Sequence, residues 1–241
     1  MYNLLIASGV SMALYLALDR VTPWPWWATL LIGLVAGIGV MVLLARRTSG
    51  QLRARMAGVE SALTAGQTEA AIAALERSRD LGKWQIALDQ AIDGQIGVIY
   101  WAHKQDAERA TPYLRKAMVK NWQAKAMLAA IHYKARRFDQ MVSVFDQTIK
   151  FNRKEPLLYA AYAWCEAQRG KTARAMEILA DGIKRLPNHE GLTRNLQALR
   201  EGKKMKMRAF EPDWWAFHLE RPPAQMLRGG VRRPTGRVPR R

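Results

Sequence analysis

Apolar positions along this chain follow two regimes. Tyr2–Leu18 gives 17 residues without a charge and Trp24–Ala45 gives 22, whereas every later stretch alternates apolar residues with Lys and Arg at helical spacing. About 20 consecutive apolar residues cross a ~30 Å hydrocarbon layer, so both early segments read as transmembrane helices. The connector Asp19-Arg20-Val21-Thr22-Pro23 is too short for a domain and has the polar residues and proline of a tight turn. A membrane hairpin over residues 1–47 is predicted. Trp24, Trp26 and Trp27 mark one interface of the second span, and Arg46 and Arg47 mark the other.

Charge gives the hairpin a direction. Residues 1–45 carry only Asp19 and Arg20, so the whole excess of +18 lies in residues 46–241. Arg46, Arg47, Arg53 and Arg55 follow the second span, and the positive-inside rule then places both termini in the cytoplasm. A cleaved signal peptide is the competing reading of the first segment, but no Lys or Arg precedes its apolar run. Gly33-x-x-x-Gly37 offers a close-packing face to the first span, where Gly9 and Ala13 are similarly small, or to a second copy of the chain.

Beyond Arg47 the pattern is of amphipathic helices with short breaks and no strand-like alternation, which predicts an all-α soluble region. Pro156–His189 places Tyr159, Tyr162, Ala163 and Glu166 before a turn at Gly170, then Ala175, Leu179 and Pro187. This unit resembles a tetratricopeptide repeat, whose ~34-residue pattern pairs two antiparallel helices through small residues at their contact. Glu166 departs from the pattern, where an aromatic is usual. The unit Trp122–Glu155 aligns through Leu128, Ala129, Met141 and Phe145, with Lys125, His132 and Arg153 out of pattern. Val98, Trp101, Ala110 and Leu114 mark a third unit, and Gly66, Ala71 and Leu75 a fourth. The equivalent residues Ala71, Ala110, Met141 and Ala175 are 39, 31 and 34 positions apart, a degenerate array. Glu190–Glu201 reads as its polar capping helix. The expected architecture is thus an all-α chain with a transmembrane hairpin (1–47), a TPR-like α-solenoid (48–202) and an aromatic segment with a flexible basic tail (203–241).

The resemblance implies a concave groove on the first helix of each repeat, which nominates Ile99, His103, Gln123, Met127, Ala130, Tyr133, Lys134, Ala160, Trp164 and Gln168 for a protein partner. Tyr133 and Trp164 are the natural anchors, since large rings bury much area at small entropic cost; the alternative is that they pack neighbouring repeats. Only Lys134 fits the basic set with which some family members clamp a C-terminal carboxylate, so no such clamp is expected. Near the C-terminus, Phe210, Trp214, Trp215 and Phe217 form an aromatic cluster that either folds back onto the groove or serves as a linear motif for another protein. Around it Lys203, Lys204, Lys206 and Arg208, and later Arg228, Arg232, Arg233, Arg237, Arg240 and Arg241, are suited to anionic lipid headgroups or nucleic acid.

No enzyme chemistry is legible. Gly170-Lys171-Thr172 lacks the earlier glycine and the strand of a phosphate-binding loop. The four histidines have no metal-ligand spacing, and the single Cys165 excludes an internal disulfide. No catalytic residue, metal or cofactor is expected. The leading expectation is a scaffold or assembly factor in a bacterial inner membrane, recruiting a protein through cytoplasmic repeats. The alternatives are a membrane tether for RNA, DNA or ribosomes, and a structural subunit of a larger membrane complex.

Overall fold

The computed structural model describes residues 2–83 and 87–222, which contain helices and turns and no strand. They belong to two compact units, Met1–Leu128 and Ala129–Arg241.

In the first unit, α1 (Tyr2–Val21) packs against α2 (Trp26–Thr64). A Cβ placed on Gly33 would come 2.8 Å from the Ser11 carbonyl oxygen, and one on Gly37 would come 2.8 Å from Ser11 Cβ and 3.2 Å from the Ala7 carbonyl oxygen. The two glycines therefore form the contact face, as small residues do between membrane helices. Their partners are Ala7, Ser11 and Tyr15, however, and nothing lies near Gly9, while Ala13 is exposed. Away from this seam, Leu5, Val35 and Leu43 all point outward. Both helices, 20 residues in α1 and 22 in Trp26–Arg47, are long and apolar enough to cross a membrane.

Gly37→Leu is expected to push the two helices apart, at a cost of about 1–3 kcal/mol for overfilling a tight contact; Gly9→Leu should be silent. Leu4, Ala7, Ser11, Gly37 and Met41 line one groove between the two helices; with Leu4→Cys and Met41→Cys introduced there on a Cys165→Ser background, bismaleimide cross-linking within the chain should fall for Gly37→Leu only. Equal yields would show that the helices meet elsewhere.

The helix that holds the second span does not end with it at Arg47. α2 continues unbroken to Thr64, so the domain boundary expected at residue 47 lies inside a 39-residue helix. Its distal part pairs with α3 (Thr68–Arg77), and the 3-10 helix Ser78–Lys83 follows. Arg55, read above as a topological charge, donates to the Arg77 carbonyl at 2.9 Å and to Asp80 at 2.6 Å, tying α2 to the end of α3. Then come α4 (Leu88–Lys104) and α5 (Ala107–Lys116). They cross where Gly97 leaves room for Leu114; a Cβ there would lie 2.7 Å from its Cδ2. Arg79 holds both Glu76 and the buried Asp93, the latter at 2.7 Å. Lys125, out of pattern in the sequence, donates to the Leu114 and Arg115 carbonyls at 3.2 and 2.9 Å and so caps α5; burial lowers its pKa.

α6 (Trp122–Lys134) carries the chain into the second unit, which contains α7 (Phe138–Phe151), α8 (Pro156–Gln168), α9 (Thr172–Arg185) and α10 (Glu190–Arg200), then 3-10 helices at Met207–Phe210 and Asp213–Phe217. Phe145 stacks on Tyr162 at 4.8 Å between α7 and α8, and Tyr159 faces Gly182 between α8 and α9. Burial raises the Tyr162 phenol to about 12.

One turn recurs. α2, α4, α6, α8 and α10 each end in a residue with positive φ: Gly66, Gln105, Arg136, Gly170 and Gly202. In four of them the following amide donates to a carbonyl five residues back at 2.8–3.0 Å, and after Gln105 the Asp106 amide donates to the Tyr100 carbonyl six back at 3.1 Å, which satisfies orphan groups at the helix end. Glycine suits three of these turns; Gln105 and Arg136 adopt the left-handed conformation at a steric cost of about 1–2 kcal/mol. Five residues beyond the first four turns lie Ala71, Ala110, Met141 and Ala175, each fully buried. The intervals of 39, 31 and 34 residues are therefore those of the turns themselves.

Candidate partner-binding surface

Of the residues nominated in the first unit, Ile99 on α4 and Met127 on α6 are buried, while His103 and Gln123 are exposed. In the second unit, Ala130 on α6 and Ala160 on α8 have no exposed surface, Trp164 is 6% exposed, Tyr133 is half-buried, and Lys134 and Gln168 reach solvent.

Tyr133 and Trp164 do share one face, with ring centroids 5.7 Å apart in an edge-on arrangement. That face is covered by the chain's own C-terminal segment. Trp214 meets Trp164 edge-on at 5.4 Å and Phe217 at 6.0 Å. Trp214 and Phe217 are 0% and 1% exposed. Phe210 stacks on His189 at 5.4 Å, and the His189 Nδ1 accepts from the Leu192 amide at the start of α10. Trp215 is half-buried.

Two indole N–H groups brought this close need an acceptor, because an unpaired buried donor is costly. Glu220 supplies it: Oε1 accepts from Trp164 Nε1 at 3.1 Å and Oε2 from Trp214 Nε1 at 2.9 Å. Lys134 adds a clasp by donating to the His218 carbonyl at 3.2 Å. Sequence reading missed Glu220. Its signal was available, as the last acidic residue of the chain, six positions after a tryptophan in an otherwise basic region.

These contacts bear on three readings of the sequence. Trp164 is not an open anchor, since Trp214 covers it, and Tyr133 is half-buried beside it. Of the two readings of the aromatic cluster, the folded-back one is observed. The basic tail expected after that cluster, with Arg228, Arg232, Arg233, Arg237, Arg240 and Arg241, lies outside the described residues.

Glu166, which breaks the repeat pattern, is 1% exposed and bonded to Arg169 at 2.5 Å. The Arg169 guanidinium lies 4.2 Å above the Phe138 ring, so one arginine neutralises the carboxylate and packs on an aromatic face. Beside them Cys165 is fully buried, and desolvation pushes its thiol well above the ordinary range, away from the reactive thiolate. Trp24, Trp26, Trp27, Arg46 and Arg47, the proposed interface residues, are all exposed. Among the described residues, no three His, Cys, Asp or Glu side chains come together as a metal site. Comparison with protein-family models, curated proteins and solved structures gives no match.

Proposed function

We propose that this chain is a membrane-anchored scaffold whose TPR-like helical repeats recruit a protein partner. The reading is carried by α2, a single helix whose first part is apolar enough to span a bilayer and whose last part pairs with α3. α2 is one helix from Trp26 to Thr64, so a partner held by the pair that its last part makes with α3 would be held close to the membrane. The recurring left-handed turn and the fully buried residue five positions after each of the first four turns support the repeat register. The setting that suits it is a bacterial inner membrane, with both termini in the cytoplasm by the positive-inside rule.

Because Trp164 is covered by Trp214, recruitment falls to nominated positions that remain exposed: His103 and Gln123 in the first unit, and Gln168 in the second. The deciding experiment is purification of the intact chain from carbonate-washed membranes in mild detergent, at moderate salt and after nuclease. A stoichiometric protein that stays bound, and is lost on replacing His103 and Gln123 with Glu, is the expected result. Recovery of only RNA and ribosomal proteins, released by nuclease, would transfer the assignment to a nucleic-acid tether. Release of the chain itself by carbonate would overturn the anchor.

A further inference from the structure

The second unit holds a charged cleft that the scaffold reading does not use. After α10 the chain turns at Gly202 and runs toward the 3-10 helix at Met207–Phe210. Burial alternates along the way: Met205 and Met207 are 8% and 3% exposed, while Lys204, Lys206 and Arg208 face solvent. Up to Lys206 the segment is extended and sends successive side chains to opposite sides, so burying Met205 turns Lys204 and Lys206 outward together; Arg208, in the 3-10 helix that begins at Met207, is exposed as well. The backbone is pinned in this register by Asn195 of α10, which is 1% exposed and accepts from the Lys206 amide at 2.8 Å through Oδ1.

Between α10 and this segment lies a cleft of about 520 Å³, lined by Arg194, Lys203, Lys204, Lys206 and Arg208 with Glu201 as its one carboxylate. Arg194 is engaged by Glu190, and Lys203 by Glu201 at 2.6 Å. Lys204, Lys206 and Arg208 have no carboxylate partner among the described residues. Three uncompensated positive charges in one concavity focus an attractive potential for an anion. The volume falls in the ~300–1,000 Å³ range of small-ligand sites. The lining carries no aromatic ring, and its charged groups are the distinctive feature available for recognition. A phosphate group matches this set: it carries about −1.5 to −2 charges near neutral pH as a monoester and a single charge as a diester, accepts a fork of hydrogen bonds from arginine and tolerates lysines as point charges.

We propose that this cleft binds a phosphate group, borne by a lipid headgroup or by a free phosphorylated solute. The proposal is independent of the scaffold reading, because it concerns a different surface and a ligand of different chemistry.

The test uses the full chain with two probes: inorganic pyrophosphate titrated calorimetrically in nonionic detergent, and flotation of phosphatidylcholine nanodiscs carrying the chain with vesicles containing phosphatidylglycerol. The variant K204E/K206E/R208E is compared with K150E/K154E/K184E, which makes the same net charge change at exposed sites elsewhere in the unit. At least tenfold weaker binding is expected for the cleft variant, and less than twofold for the control. Pyrophosphate binding assigns a free phosphate, and binding confined to the charged vesicles assigns a headgroup. Equal weakening in both variants would overturn the proposal in favour of diffuse attraction, as would failure of both probes to bind wild type at low salt. K204Q/K206Q/R208Q replaces the reversal variant if helicity is disturbed.

Discussion

Trp214→Ala is expected to destabilise the second unit by about 3–5 kcal/mol, the usual range for removing a large buried aromatic. Trp214 is fully buried, touches Trp164 and Phe217 edge-on, and donates its indole proton to Glu220. Truncation opens a cavity beneath the C-terminal segment, removes one of the two donors held by Glu220 and uncovers Trp164. Cys165 gives a direct readout, because it is buried in the same unit and reacts only when the unit opens. Each 1.4 kcal/mol is tenfold in that equilibrium, so labelling of the detergent-solubilised chain by a thiol reagent should accelerate by roughly a hundredfold or more. Trp215→Ala, at a half-buried ring, should change it far less. An unchanged rate for Trp214→Ala would mean that the aromatic segment is a loose cover and not part of the core.

Arg169→Met carries the second large effect. Glu166 has a side chain only 2% exposed, and Arg169 is its ion-pair partner. Removing one member of a buried pair leaves an uncompensated charge and costs about 3–5 kcal/mol, whereas replacing both by apolar groups of similar size is often neutral or stabilising. Arg169→Met also gives up the stacking on Phe138. Urea unfolding followed by tryptophan fluorescence should show a marked drop in midpoint for Arg169→Met and recovery of most of it in Glu166→Leu/Arg169→Met. If the double variant is as unstable as the single, the arginine acts through its contact with Phe138 and not through the carboxylate.

Together these two sites describe how the second unit is closed. An apolar helical face without a neighbour has to be covered from water. Here α10 is joined by Met207, Phe210, Trp214 and Phe217, all buried. The face that includes Trp164 is thereby sealed from within. A partner that sought Trp164 would first have to displace a fully buried tryptophan, which is why the exposed polar positions are the better candidates for recruitment.

Several features were legible in the residues alone, each local in origin. The two apolar stretches follow from composition. The helical pairs follow from apolar spacing, and the turns at Gly66 and Gly170 follow from a residue type that tolerates positive φ. The burial of Ala71, Ala110, Met141 and Ala175 agrees with their alignment, because a small or unbranched residue at a fixed distance from the turn lets two helices approach. Gly33 and Gly37 marked a packing face on α2 but not its counterpart. Ala7 and Ser11 are chosen by the relative rotation of two helices, and neither sequence contains that angle.

What tertiary structure decided depends on contacts between distant residues. The shift from apolar to charged at Arg46 changes the solvent a helix prefers, not its backbone hydrogen bonds, so α2 runs on where a boundary was expected. Trp164 and Glu220 are 56 positions apart, and Lys134 and His218 are 84 apart. Nothing near Trp214 in the chain states that its indole will share a carboxylate with Trp164. That arrangement exists because two large rings gain more by leaving water together than apart, and because their N–H groups can be buried only where an acceptor comes with them. Local sequence determined the helices and turns; the closing of the apolar face, and the pairing of each buried polar group, were decided only when those helices met.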